Sequence, residues 1–342
     1  MVKQMGEAAS TLDIKPEQEL VVNHLCQWFY AGKAKSSIDA RKKEKMYVRA
    51  VDDISMYIDK GEIFGLVGET GCGKTTFGKT VLNILEPTSG EVIFEGQNLS
   101  KLSGKELRRM RMKMQMVFQD PYGSLNSRMT VGNALREPLI EHNIYDRKEA
   151  DERVEELLNQ VGLRKYHAHK YPHEFSGGQR QRISIARALT VNPNFIVCDE
   201  PVSALDVSIQ AQILNLLAKL RRELQLTYLF ISHDLLVVRH ICDRAGVMYL
   251  GKIVEHAPSK ELYENQLHPY TRALFSAIPN PRRDVKTKRI LLEGDLPSPI
   301  MIPKGCPFYS RCNESMTICS EQIPELKEVA PKHFCACHLY DH

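Results

Sequence analysis

Nine consecutive residues, Gly68-Glu69-Thr70-Gly71-Cys72-Gly73-Lys74-Thr75-Thr76, constrain this chain more than any other segment. They follow the apolar run Ile63–Val67 and open a helical stretch from about Thr75 to Leu85. A strand, a glycine-rich loop and a helix in that order put backbone N–H groups and a helix N-terminus around a polyphosphate. The glycines let the backbone approach the phosphates where a Cβ would obstruct it. Lys74 is expected on the β- and γ-phosphates, and the Thr75 hydroxyl on Mg²⁺. About a hundred residues later come Ser176-Gly177-Gly178-Gln179 and then the strand Phe195–Cys198, which runs into Asp199-Glu200. Order and spacing together predict a protein that binds and hydrolyses ATP.

The remaining polar positions divide the chemistry. Asp199 ends an apolar strand beside the loop, where a carboxylate can hold the magnesium shell. Glu200 has no packing role there and is placed to act as general base on the attacking water. Gln119 ends the strand Met114–Phe118, within reach of the magnesium. His233 ends the apolar strand Tyr228–Ser232, at the carboxyl edge of a parallel sheet where ligands of such sheets bind. Ser176, Gly177, Gly178 and Gln179 precede a helix rich in Arg and Ala, so their backbone donors face an anion or simply cap the helix. The sequence does not say which phosphate they meet.

Composition narrows the class. The chain is 43% apolar and 26% charged, ordinary for a soluble globular protein, and its net charge of +4 gives no argument for nucleic acid. No apolar run approaches the roughly 18 residues needed to span a bilayer, and the N-terminus lacks the apolar core of a signal peptide. The expectation is a cytoplasmic chain that meets a membrane only through partners. At 342 residues it suits about two domains.

The pattern along the chain is α/β. β-like segments at Leu20–Leu25 and Val48–Ile58 flank a basic loop, and the phosphate-loop unit and further short strands follow. Residues of about 126–190 are helical in pattern, with Val154, Leu157, Leu158 and Val161 on one face. Strands at Phe195–Cys198 and Tyr228–Ser232, separated by a helix at Ile209–Leu224, mean a parallel sheet. The expected boundaries are a nucleotide-binding domain at 16–278, a proline-rich linker at 279–305 and a small cysteine-rich module at 306–342.

That module holds five of the nine cysteines. Cys306-x5-Cys312-x6-Cys319-x17-Cys337 supplies four thiolates, with Cys335 to spare. Four thiolates suit either tetrahedral zinc or an iron–sulfur cluster. The paired C-x2-C knuckles of many zinc sites are missing, and the wide, unequal spacing fits the larger cluster.

Taken together, the motifs resemble the nucleotide-binding subunit of an ATP-binding cassette (ABC) transporter over about residues 20–280. The resemblance implies a P-loop NTPase cassette: a RecA-like α/β core with an antiparallel β subdomain and a helical signature subdomain. Ser176–Gln179 then corresponds to the signature, which meets the γ-phosphate of ATP held by the opposite subunit. Ser203-Ala204-Leu205-Asp206 matches the loop between the two sites, Gln119 the hinge loop facing the membrane subunit, and His233 the switch histidine. The adenine-stacking aromatic is Phe29 or Tyr47. His268-Pro269-Tyr270-Thr271-Arg272-Ala273-Leu274 and Gly305-Cys306-Pro307-Phe308-x-x-Arg311-Cys312 are similar to the C-terminal extension of oligopeptide and dipeptide importer ATPases. The segments around Gln119 and Asp199 look like the F-type partner of a D-type/F-type pair. Ser127 and Thr76 depart from the usual family residues without removing a ligand.

This resemblance implies a heterodimer with a second, D-type ABC ATPase, two membrane permeases, an extracellular peptide-binding protein engaged indirectly, and a place at the cytoplasmic face of the cell membrane. It also implies a [4Fe–4S] cluster on Cys306, Cys312, Cys319 and Cys337. Two other readings stay open: the ATPase subunit of a nickel or other small-solute importer, and a soluble ABC ATPase.

Overall fold

The computed structural model describes residues 12, 15–35, 43–278, 290–292, 294, 297–298, 300 and 303–341. Most of the expected linker therefore lies outside the described residues, as do Arg41 and Lys42 of the basic loop.

Two sheets organise the chain. The first is antiparallel, ordered β2-β1-β4-β5, from β1 (Gln18–Lys35), β2 (Lys43–Asp59), β4 (Ser89–Phe94) and β5 (Gln97–Asn98). The second has at its centre β3 (Ile63–Val67), β6 (Met114–Val117), β7 (Phe195–Asp199), β8 (Thr227–Ile231) and β9 (Arg244–Tyr249), which run parallel in the order β9-β3-β8-β7-β6. Every residue of β3, β7 and β8 is buried, which is why these strands read as unbroken apolar runs rather than alternating ones.

Successive side chains point to opposite faces, so each central strand feeds two cores. Ile196, Cys198, Tyr228 and Phe230 pack with Leu157, Leu158, Ile183 and Leu217 of the helical side. Phe195, Val197, Leu229 and Ile231 pack instead with Leu20, Val22, Leu25 and Ile58 of the antiparallel sheet. Helix α1 (Lys74–Val81) belongs to this second core through the fully buried Phe77 and Val81. Burying a side chain of that size stabilises by about 1.5–3 kcal/mol, so this core anchors the helix that follows the loop.

Helix α2 (Gly104–Lys113) precedes β6, and between β6 and β7 the chain is helical, with α3 (Pro121–Ser124), α4 (Val131–Glu141), α5 (Arg147–Gln160) and α6 (Gly177–Leu189). Helix α5 begins at a capping box of Asp146 and Glu149, which fixes its start at Arg147. After β7 come α7 (Val207–Leu224) and, following β8, α8 (Leu235–Ile241).

The cysteine-rich segment differs from the expectation of a separate appended unit. After β9, strand β10 (Lys252–Pro258) is followed by α9 (Ser259–Glu264), α10 (Pro269–Ser276), α11 (Thr317–Glu321), β11 (Lys327–Ala330) and β12 (His333–Cys335). Strand β12 pairs with β10, Glu255 opposite Cys335, and β11 pairs with β12, so the segment extends the main sheet. Glu255 is fully buried beneath it and accepts from His333 Nε2 and from the Leu267 and His268 N–H groups, each at 2.8 Å. A carboxylate this deep persists only with such a complete set of donors.

Candidate active site

The phosphate loop runs between β3 and α1, and two of its glycines are dictated by space. Gly73 has φ +112°, and a Cβ there would lie 1.9 Å from the Ala50 carbonyl oxygen. Gly68 has φ +153°, and its Cβ would meet the Met248 carbonyl at 2.2 Å. The loop is thus clamped between β2 and β9 at a distance that admits no side chain. Lys74 reaches back into it: the buried ammonium donates to the carbonyls of Gly68 (2.8 Å) and Glu69 (3.0 Å).

Thr75 Oγ1 donates to Asp199 Oδ1 at 2.9 Å, joining the start of α1 to the end of β7. Asp199 is almost wholly buried, and burial pushes its carboxyl above the usual range; the Thr75 hydrogen bond pulls it down and the Glu200 charge pushes it up. A cation placed beside this pair would pull the carboxyl back down. Thr75 and Asp199 are oxygen donors of the type a magnesium shell uses.

Glu200 stands one residue beyond the strand at φ +46°, an unusual conformation for a residue with a side chain. Its N–H donates to the Ile231 carbonyl of β8 at 2.9 Å, which holds the turn. The strain, on the order of 1–3 kcal/mol, aims the carboxylate across the cleft. There Glu200 Oε2 accepts from Gln119 Nε2 at 2.9 Å and lies 3.1 Å from His233 Nδ1. Three strand ends thereby converge on one oxygen.

These groups face a cleft of about 750 Å³ lined by Thr70, Gly71, Gly73, Lys74, Thr75 and Thr76 on one side and Gln119, Glu200, Ser203, Ala204 and His233 on the other. Its outer wall is Phe29, Val48 and Ala50. Phe29 pairs with Val48 across β1 and β2, so the two present one face of the sheet. Tyr47 is one residue out of phase: it packs against Trp28 (6.4 Å) and Tyr30 (6.0 Å) and does not line the cleft. Cys72 lies buried beneath the loop with its thiol pushed up by burial and its sulfur 3.8 Å from Lys74 Nζ.

The signature residues are elsewhere. Ser176 caps α6, accepting from the Gln179 N–H at 3.3 Å, while its own N–H donates to Gln179 Oε1 at 3.1 Å. Ser176 and Gly177 are exposed, and neither they, Gly178, Gln179 nor Asp206 lines the cleft. Gly178 is as close to α7 as a backbone can come, since a Cβ would meet Ile209 at 2.5 Å.

A family model described as "ABC transporter" matches residues 51–203, and one described as "Oligopeptide/dipeptide transporter, C-terminal region" matches 254–319. The oligopeptide transport ATP-binding protein AppF of Bacillus subtilis (strain 168) is 58% identical over 86% of this chain and 90% of its own length. The chain belongs to the ABC transporter ATP-binding subunits of the oligopeptide/dipeptide family. Oligopeptide transport ATP-binding protein OppF of the same organism is 54% identical over 85% of this chain and 90% of its own. Among solved structures, an ATP-binding cassette in a dimeric, post-hydrolysis state bound to ADP and Pi superposes with a TM-score of 0.58 at 27% identity. That match covers 70% of this chain and 98% of the other. The cassette of this family accounts for the cleft, the helical segment and the exposed signature together. Among the described residues no helix is long and apolar enough to cross a membrane.

The metal expectation fares differently. Cys306, Cys312, Cys319 and Cys337 are neighbours: Cys306 is pushed up to about 12 by burial first and then by the other three, and Cys337 to about 11 by burial and by Cys312 and Cys319. Yet among the described residues no group of three or more His, Cys, Asp or Glu is placed to hold a metal ion. Zinc and an iron–sulfur cluster each need four thiolates drawn tightly together, and neither fits these side chains as they stand.

Two residues near the loop escaped the sequence reading, Tyr270 and Arg311. Both lie inside the quoted C-terminal motifs, but nothing in those motifs indicates that they fold back onto residue 69.

Proposed function

We propose that this chain is the ATP-hydrolysing subunit that powers import of oligopeptides or dipeptides, pairing with a second ABC ATPase at the cytoplasmic face of two membrane permeases. The observation that carries the reading is the convergence of Gln119 and His233 on the Glu200 carboxylate, one residue from the Thr75–Asp199 pair. Lys74 and the loop N–H groups hold the β- and γ-phosphates. Glu200 takes the proton of the attacking water, and His233, with its proton on Nδ1, keeps the carboxylate oriented. Thr75, Gln119 and Asp199 would hold Mg²⁺, which neutralises charge on the phosphates. Phe29 is the adenine-stacking residue in this reading, because it shares the cleft and Tyr47 does not.

Peptide as the cargo rests on the C-terminal region and on relatives named for oligopeptide transport. Cells carrying Lys74→Ala should lose uptake of labelled peptides while nickel uptake is untouched. Loss of nickel uptake with peptide uptake intact would overturn the cargo.

A finer reading rests on the family resemblance: Cys306, Cys312, Cys319 and Cys337 would draw together around a [4Fe–4S] cluster that contributes folding free energy to the segment. Protein purified without air should be brown, with iron and acid-labile sulfide in equal amounts, and Cys312→Ser should bleach it. Colourless protein with free thiols and no iron would remove the cluster.

A further inference from the structure

We infer that Arg311 is a positioning residue of the ATP site, acting through Glu69 to neutralise the one acid of the phosphate loop and fix its backbone. The inference rests on the reading of that loop as the ATP site. Glu69 is an odd residue for its place: a carboxylate inside a loop that must hold a polyanion repels what it binds. Arg311, 242 positions away in the turn Tyr309–Arg311, answers it with a two-pronged ion pair, Nη1 to Oε2 at 2.8 Å and Nη2 to Oε1 at 3.2 Å. The Arg311 side chain is only 7% exposed and that of Glu69 28%. A planar fork on a carboxylate sets direction as well as charge, which a lysine would not do.

The other polar groups of Glu69 are also engaged. Its N–H donates to the Tyr270 hydroxyl at 3.0 Å, and its carbonyl accepts from Lys74 Nζ (3.0 Å) and the Cys72 N–H (3.2 Å). Tyr270 is fully buried against Tyr249 (ring centroids 4.6 Å apart) and Phe308 (5.5 Å). The Arg311 guanidinium lies 6.0 Å above the Tyr249 ring. Residues on and beyond the last parallel strand therefore grip the loop residue whose carbonyl holds Lys74. The C-terminal segment sets the loop's charge and shape.

The test is steady-state ATP hydrolysis by the full-length chain in its assembled transporter. Arg311→Gln should raise KM for ATP about tenfold while kcat changes far less. Arg311→Lys should fall between, keeping the charge and losing the fork. Arg311→Gln combined with Glu69→Gln should recover most of the lost affinity, because the stranded acid is gone. A merely structural role predicts no such recovery, since removing Glu69's charge cannot refill a packing defect. Should Arg311→Gln not fold, Arg311→Lys decides: a raised KM supports the inference and a wild-type KM overturns it. A wild-type KM in Arg311→Gln, or a double variant no better than the single one, also overturns it. Wild-type protein that hydrolyses no ATP would instead sink the proposed function.

Discussion

The cleft and the signature are built from the same kind of parts and end up in opposite situations. In the cleft, four segments of one chain are joined by short contacts: Thr75 to Asp199 at 2.9 Å, and Glu200 to Gln119 at 2.9 Å and to His233 at 3.1 Å. At the signature, the α6 N-terminus closes only on itself, Ser176 with Gln179, and faces outward. A helix N-terminus with two glycines is an anion site, yet this one meets no phosphate site of its own chain. The difference teaches that, under the proposed function, a single chain would carry a phosphate grip and a base but not the full ring of donors. In the proposed function a second cassette would supply the missing donors, and Val207, 82% exposed beside Asp206, fits a surface that such a partner would cover.

The comparison breaks first at the base. If the cleft alone carries the chemistry, Glu200→Gln should cut turnover by roughly 10²–10⁴-fold while leaving ATP bound, because the isosteric amide keeps contacts to Gln119 and His233 but cannot take a proton. Stopped-flow phosphate release from the assembled complex measures it. Turnover near the wild-type rate would move the base elsewhere.

A smaller effect separates stability from chemistry. His268 caps α10 by accepting from the Tyr270 N–H at 3.1 Å, which requires a neutral Nδ1, and burial lowers its pKa to about 4. An unfolded histidine titrates near 6.5, so between about pH 6.5 and 4 the unfolded chain takes up a proton that the folded chain refuses. Stability is therefore whole above that window and falls with pH through it, by about 3 kcal/mol at most. His268→Asn keeps a capping side chain and should flatten this acid limb in denaturant titrations. An unchanged slope would assign the acid loss to other groups.

Much of this was legible in the sequence because the signals are local. Loop glycines, short apolar runs and capping residues each act within a few positions, so the phosphate loop, β7, β8 and the start of α6 fall where the pattern puts them. Asp199 and Glu200 could be told apart by position alone, the first as the end of the strand and the second as the residue that turns beyond it. What stayed hidden is set by packing between distant segments. That Phe29 and not Tyr47 lines the cleft depends on the register of β1 against β2, which a basic loop between them obscures. The pairing of β12 with β10 depends on the buried Glu255–His333 contact across 78 positions. The left-handed turn at Glu200 leaves no trace in composition, because its cost is carried by the fold around it.

The sharing of donors between chains is tested most directly by labelling each nucleotide site with a photoreactive ATP in the assembled pair of ATPases. Ser176→Asp keeps the helix cap and sets a negative charge where the partner's γ-phosphate would meet the signature. The account predicts that labelling of this chain at Lys74's site persists while labelling of the partner chain falls. Loss of labelling on this chain, with the partner's preserved, would contradict it.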